Sequence, residues 1–220
     1  MGYNQDMNLI LFDIDNTLLD TPRYAGVAFE RMRQILDMSE IDFAQRKDAF
    51  YQTLEESTDF SPEQFVAFLK VEEEVQRVDL LQCWYDEALL NHCVFVDFTR
   101  NLERFQTKCV LGIFSQGNAE FQIKKLQLMG IYGIFEQKYL FIKERKSSPE
   151  SLQELQALIE PSEDFSFSQI LVVDDKVEYL KALHQISQVS PVLIQRETPD
   201  KVSAENEIPG LRIVSSLSDL

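Results

Sequence analysis

The chain of 220 residues is poor in basic charge, histidine and cysteine, and it contains no long apolar run. Against 37 aspartates and glutamates stand 21 lysines and arginines, a formal charge of −16 at pH 7. So acidic a surface argues against a nucleic-acid polymer or an anionic membrane as partner, because both require a basic face. It leaves room for a small phosphorylated ligand, whose charge a metal ion and one lysine can meet locally. No stretch approaches bilayer-spanning length, and Met1 to Asn8 is polar without a signal-peptide pattern, so a cytoplasmic location is expected. The three cysteines, Cys83, Cys93 and Cys109, are odd in number and lack metal-ligand spacing. They read as buried apolar side chains in a reducing compartment rather than as disulfides. The two histidines, His92 and His184, have no partner motif and read as structural. There is no internal repeat and no low-complexity segment, and no feature sets an oligomeric state.

What is present is the composition of a globular protein, 45% hydrophobic and 26% charged, with enough length for one core plus a smaller inserted domain. The apolar run Leu9-Ile10-Leu11-Phe12 reads as a first strand. Residues 20 to about 95 then hold no convincing strand. Helical spacing covers Tyr24–Leu36, Phe43–Leu54, Pro62–Leu69 and one long stretch from Val75 to Leu90, with Ser61-Pro62 as a start signal. Residues 20–100 hold 17 acids and 8 bases, a net −9, so this segment carries over half of the charge excess. Glu72-Glu73-Glu74 within it reads as a solvated helix face.

From about residue 100 strands and helices alternate. Strands are expected at Cys109–Phe114, Tyr139–Ile142, Ile170–Val173 and Val192–Ile194, and helices at Asn118–Met129, Pro149–Ile159 and Val177–Ile186. Gly130 closes the first of these helices, and Ser148-Pro149-Glu150 opens the second. The polar tail from Glu197 to Pro209 reads as a surface loop. Alternation of this kind implies an α/β fold, a doubly wound and mainly parallel sheet wrapped by helices, with ligands at the C-terminal strand ends. The expected division is a core of residues 1–19 and 97–220 and an inserted helical subdomain of residues 20–96.

The chemistry-bearing residues fall at those strand ends. Asp13 and Asp15 follow the first strand two apart, so in an extended segment both project to the same side. Two carboxylates that close require a cation between them, or one of them protonated. Either arrangement suits phosphoryl transfer. Ser115 ends the second strand, and Gln116-Gly117-Asn118 leads into a helix whose free N–H groups would favour a phosphate. Asp174-Asp175 ends a later strand with two hard oxygen donors suited to Mg²⁺. Lys146 lies just before the helix that starts at Pro149, where an ammonium could reach a phosphate oxygen.

The order Asp-x-Asp-x-Thr, Ser, Lys-x-x-Pro, Asp-Asp resembles the haloacid dehalogenase-like (HAD) hydrolase superfamily, over essentially the whole chain. The resemblance implies a Rossmann-like core and identifies the helical insert with the cap of its small-molecule phosphatases. It also implies roles. Asp13 would be the nucleophile that forms an aspartyl-phosphate, and Asp15 would protonate the leaving group and then activate water. Ser115 and Gln116 would bind the transferring phosphoryl group, with Lys146 neutralising it, and Thr17 would fix the loop. Mg²⁺ would be held by Asp13, the Asp15 carbonyl and Asp175, with Asp174.

The chain departs from the family pattern in two places. Ser147 and Ser148 separate Lys146 from its proline, which leaves Lys143 a competing candidate. The further acid expected four or five residues after the metal-binding aspartate is replaced by Tyr179 and Leu180, with Glu178 one place early. Arg23, Tyr24 and Arg31 follow the first motif closely enough to contribute to specificity. The reading is a Mg²⁺-dependent phosphatase acting on a small phosphorylated metabolite of sugar phosphate or nucleotide type. Asp15 speaks against a dehalogenase, whose chemistry needs no leaving-group acid. A phosphomutase would keep every motif residue, and a catalytically weak binding or regulatory protein is the rival outside enzymology.

Overall fold

A computed structural model describes residues 7–158, 167–196 and 208–220. Its centre is a six-stranded sheet, β1 (Met7–Phe12), β2 (Cys109–Gln116), β3 (Leu140–Lys143), β4 (Phe167–Asp174), β5 (Val189–Ile194) and β6 (Arg212–Val214). The strands are all parallel, in the order β3-β2-β1-β4-β5-β6. The chain winds outward from β1 to one edge and then returns to its other side at β4, so the reversal of strand order lies at β1. Both faces of the sheet are covered, which is why its strands read as nearly continuous apolar runs. The pleat divides them: Ile10, Phe12, Leu111 and Ile113 join one apolar cluster, and Leu9, Leu11, Val172 and Leu193 join the cluster on the opposite face.

Five helices lie between β1 and the return to the sheet: α1 (Thr21–Ile35), α2 (Glu40–Tyr51), α3 (Pro62–Phe68), α4 (Glu74–Gln82) and α5 (Glu87–Cys93). A sixth, α6 (Val96–Lys108), packs Phe98 and Phe105 against Phe12 of β1. Then α7 (Ala119–Leu128), α8 (Pro149–Ala157) and α9 (Val177–Leu183) alternate with the remaining strands. The single helix expected over Val75–Leu90 is two helices. Trp84 turns inward after α4, 2% exposed, and meets Phe29 edge-on at 4.8 Å, while the Asp86 carboxylate accepts from the Leu89 N–H and starts α5 afresh. Aromatic side chains then fill the interior of the insert, with Phe50, Phe60 and Phe65 packed around one another. Cys83 and Cys93 are buried and Cys109 half-buried, all three as free thiols.

The strand bounds differ from expectation: β1, β4 and β5 begin earlier, at Met7, Phe167 and Val189, β4 ends at Asp174, and β3 is shifted by one residue. The second strand runs on through Ser115 to Gln116, and Arg212–Val214 adds a short sixth strand that the sequence reading did not include. The polar tail expected as a loop lies largely outside the described residues, as does the far end of the helix expected to reach Ile159. Ser148 caps α8 as expected, accepting from the Ser151 N–H at 3.2 Å, and Gly130 follows α7 with φ of 71°. Among the described residues, no helix is long and apolar enough to cross a membrane.

Candidate active site

The first motif is a tight loop at the end of β1. Asp13 N–H still pairs with the Val173 carbonyl at 2.9 Å, which ties the start of the loop to β4. Leu18 and Leu19 N–H both return to the Ile14 carbonyl, and Ile14, Leu18 and Leu19 are fully buried beneath. With its apolar residues anchored below, the loop turns Asp13 and Asp15 towards a cavity of about 260 Å³. Asn16 takes a positive φ of 59°, which asparagine tolerates, and its amide donates to Asp175 Oδ2 at 3.0 Å. Thr17 is fully buried, its carbonyl accepting from Arg196 Nη2 at 2.6 Å and its hydroxyl without a partner among the described residues.

Around Asp13 the structure gathers three acids and one lysine. Oxygens of Asp13, Asp174 and Asp175 lie within 4.8 Å of one another. Lys146, 1% exposed, donates to Asp13 Oδ1 at 2.6 Å and to Asp174 Oδ2. Lys143 instead pairs with Glu154 of α8, so it is Lys146 that stands against the first motif. Burial lifts the Asp13 carboxyl well above the ordinary range; Lys146 opposes this, and Asp174, Asp175 and Asp15 add to the rise. Burial and the charge of Asp174 likewise raise Asp175, against the Asn16 hydrogen bond. Burial works against the charge on Lys146, but Asp13 and Asp174 more than offset it, so the ammonium is held more firmly than usual. A compact, buried set of carboxylate oxygens in excess over its one lysine fits a hard divalent cation such as Mg²⁺. Glu178 is not part of this cluster, and Tyr179 lines the cavity in the position where a further acid was sought.

Asp15 meets a different environment, one the sequence reading missed. Its Oδ1 accepts from Thr21 Oγ1 and Lys125 Nζ, both at 2.7 Å, and its Oδ2 accepts from Gln122 Nε2 and Lys125 Nζ, both at 2.8 Å. Burial alone would raise this carboxyl, but the charge of Lys125 and the hydrogen bonds from Lys125, Gln122 and Thr21 outweigh it and leave the pKa lowered. Gln122 and Lys125 are one helical step apart on α7 and both are buried, 4% and 3% exposed. Polar residues at core-facing positions, flanked by buried Phe121 and Leu126, were the available signal.

The remaining expected residues are placed as follows. Ser115 is fully buried at the end of β2, its hydroxyl without a partner among the described residues and not on the cavity wall. Gln116 does line the cavity, but its side chain is engaged: Nε2 donates to Glu56 and Thr58, and Oε1 accepts from the Lys146 N–H. Gly117 has φ of 132°, and a Cβ there would lie 2.8 Å from the Thr58 carbonyl, so glycine permits the 56–59 segment to approach. Arg145 binds the same segment through Asp59 at 2.8 Å, Glu56 at 3.0 Å and Glu55 at 3.2 Å. Tyr24 lines the cavity, whereas Arg23 meets His92 and Arg31 pairs with Asp86 away from it. A larger cavity of about 510 Å³ lies near the N-terminal ends of the strands, beside Asn8, Cys109 and Gln169, and has no acid among its lining residues.

Comparison with known proteins agrees with this geometry. The family model of the haloacid dehalogenase-like hydrolases matches residues 7–186. No curated protein sequence matches the chain. Among solved structures, YfnB from Bacillus subtilis, placed among the HAD hydrolases and solved bound to magnesium, superposes with a TM-score of 0.62 at 19% identity over 98% of this chain and 97% of its own. A Burkholderia xenovorans LB400 protein placed among the haloacid dehalogenase-like hydrolases gives 0.68 at 18% identity, over 98% and 95%. A 2-haloacid dehalogenase from Pseudomonas syringae gives 0.57 at 14% identity, over 97% and 96%. At these identities the neighbours establish the fold, while the family match spans the first motif, both lysine stations and the Asp174-Asp175 pair. The chain belongs to the haloacid dehalogenase-like hydrolases.

Proposed function

We propose that the protein is a Mg²⁺-dependent phosphatase that hydrolyses a small phosphorylated metabolite, of sugar phosphate or nucleotide type, through an aspartyl-phosphate. The observation that carries this reading is the second carboxylate. Asp15 stands two residues from Asp13, on the same cavity, and its orientation is fixed by Thr21, Gln122 and Lys125. A hydrolase that displaces halide needs no group to protonate its leaving atom, whereas an alkoxide leaving from phosphorus does.

In the first step a carboxylate oxygen of Asp13 bonds to phosphorus and the phosphorus–oxygen bond to the substrate alcohol breaks, while Asp15, which takes up a proton from solvent once the phosphate's negative charge offsets the pull of Lys125, gives that proton to the leaving oxygen. In the second step Asp15 takes a proton from water, the water oxygen attacks phosphorus, and the Asp13–phosphorus linkage breaks to release phosphate. Asp13, Asp174 and Asp175 would hold Mg²⁺, with the Asp15 carbonyl. When bound, the ion would keep Asp13 ionised and offset its repulsion of the phosphate dianion. Lys146, already lodged between Asp13 and Asp174, adds fixed positive charge where the phosphoryl group would sit.

The test is phosphate release from a panel of phosphorylated metabolites in Mg²⁺, comparing wild type with Asp13→Asn. Turnover that disappears with EDTA and in the variant supports the mechanism. Absence of release above the variant's background, from protein shown to be folded, would overturn it in favour of a binding role.

A further inference from the structure

The cavity above Asp13 and Asp15 carries six aromatic side chains among its otherwise largely polar lining. Tyr24, Tyr51, Phe60 and Trp84 come from the helical insert, Phe121 from α7 and Tyr179 from α9, and all six border the same space. Five of them form a connected set: Tyr24 meets Trp84 at 5.5 Å, Tyr51 stacks on Phe60 with centroids 5.9 Å apart and planes at 21°, Phe60 meets Trp84 at 4.8 Å, and both meet Phe121 at 6.0 Å.

Much of the polar lining is already engaged with other protein groups. Asp15 accepts four hydrogen bonds across its two oxygens. The Gln116 amide is held by Glu56, Thr58 and the Lys146 N–H. Asn118 Oδ1 caps α7 through the Phe121 N–H, and the Tyr24 hydroxyl donates to the Trp84 carbonyl. Lys176, 5.3 Å from the Tyr179 ring centre, adds a positive charge near Asp175, at the phosphate end. At each of these groups a ligand hydroxyl would compete with an existing bond, whereas a flat ring buries its faces against the aromatic walls and competes with none.

Taking the phosphatase reading as its basis, we propose that the substrate carries an aromatic ring on the leaving-group side of its phosphate, as in a nucleoside monophosphate or an aryl phosphate, and is not a polyol phosphate. Hydrolysis then adds water across the phosphorus–oxygen bond and releases the ring-bearing alcohol and phosphate.

Trp84 is the single tryptophan of the chain and stands in the cavity wall, so intrinsic fluorescence reads occupancy without turnover. Asp13→Asn protein in Mg²⁺ would be titrated with uridine 5′-monophosphate, phenyl phosphate, ribose 5-phosphate and inorganic phosphate. The aromatic esters should quench Trp84 and bind at least about tenfold more tightly than ribose 5-phosphate, and tighter binding of the nucleotide or the aryl ester identifies which source fits. Tyr51→Leu, with its fold checked by circular dichroism, should bring the ratio of aromatic to ribose 5-phosphate affinity down towards one. Equal or tighter binding of ribose 5-phosphate, or no binding of either aromatic ester, overturns the proposal. The wild-type panel separates the two readings. Aromatic binding without phosphate release from any ester defeats the phosphatase reading and keeps the aromatic site. Release from sugar phosphates alone defeats the aromatic site and keeps the phosphatase.

Discussion

Asp13 and Asp15 sit two residues apart on one loop, each against a buried lysine, and the two pairings come out opposite. Lys125 serves Asp15 alone among the acids, so charge there is balanced, and the carboxyl is held below its ordinary range in spite of burial. Lys146 is shared between Asp13 and Asp174 with Asp175 close by, so the acids outnumber the positive charges even with Lys176 near Asp175, and Asp13 and Asp175 are pushed upward. The imbalance marks which station needs a divalent cation, and the balance marks which does not. On the proposed reading, a nucleophile beside a metal and an acid/base group held by a lysine are different devices, built from the same residue type two positions apart.

The largest expected effect separates the two stations by function. Asp13→Asn should lower phosphate release by roughly four orders of magnitude or more, as loss of a nucleophile does. Asp15→Asn should cost about 10² to 10⁴-fold, and more for esters of poor leaving groups than of good ones, since its work is proton transfer. Steady-state rates over a series of leaving groups would read both. Equal losses in the two variants, independent of leaving group, would erase the distinction.

A smaller effect tests the charge balance through stability. Lys146→Met leaves Asp13 and Asp174 without their ion-pair partner, with only Lys176 near Asp175, and should cost about 3–5 kcal/mol in EDTA. Much of that should return on adding Mg²⁺, because the ion substitutes for the missing charge. Lys125→Met strands a single carboxylate whose side chain keeps 30% exposure, so screening lowers the cost to about 1–3 kcal/mol, with no recovery in Mg²⁺. Urea denaturation with and without the ion measures all four numbers. Recovery of the Lys125 variant by Mg²⁺, or its absence in the Lys146 variant, would reverse the assignment of the two stations.

How far these features could be read beforehand follows from the kind of signal each leaves. The Asp13 station was legible because its acids stand where apolar strands stop, after Phe12 and after Val173, and a break in an apolar run is local information. The parallel sheet was legible for the same reason. The Asp15 station was not. Lys125 and Gln122 are polar residues inside a helix, and only the packing of α7 across the first loop turns them inward. Gln116 reads as phosphate-binding because it follows a strand, yet the 56–59 segment claims it, a contact between residues 60 positions apart. The break at Trp84 escaped because the apolar spacing continues through it, and β6 because three residues carry too little pattern.

The smallest effect comes from a third buried pair, which serves as a control on the other two. Asp97 on α6 accepts from Arg196 Nη1, from Ser216 Oγ at 2.8 Å and from the Leu217 N–H at 2.7 Å, while Arg196 also holds the Thr17 carbonyl. Burial would raise the Asp97 carboxyl, but Arg196, Leu217 and Ser216 together leave it lowered. A depressed carboxyl binds fewer protons folded than unfolded, so its stabilisation is present above the ordinary value of 3.8 and disappears as pH falls through the folded value. Asp97→Asn should therefore cost about 1 kcal/mol at pH 7, and the gap to wild type should narrow as pH falls below 3.8. Mg²⁺ affinity should be unchanged, since one acid and one arginine leave no deficit to fill. A fall in Mg²⁺ affinity would mean that the Thr17 strut, and not charge count alone, sets the metal station; an unaltered affinity leaves the excess of acids around Lys146 as its cause.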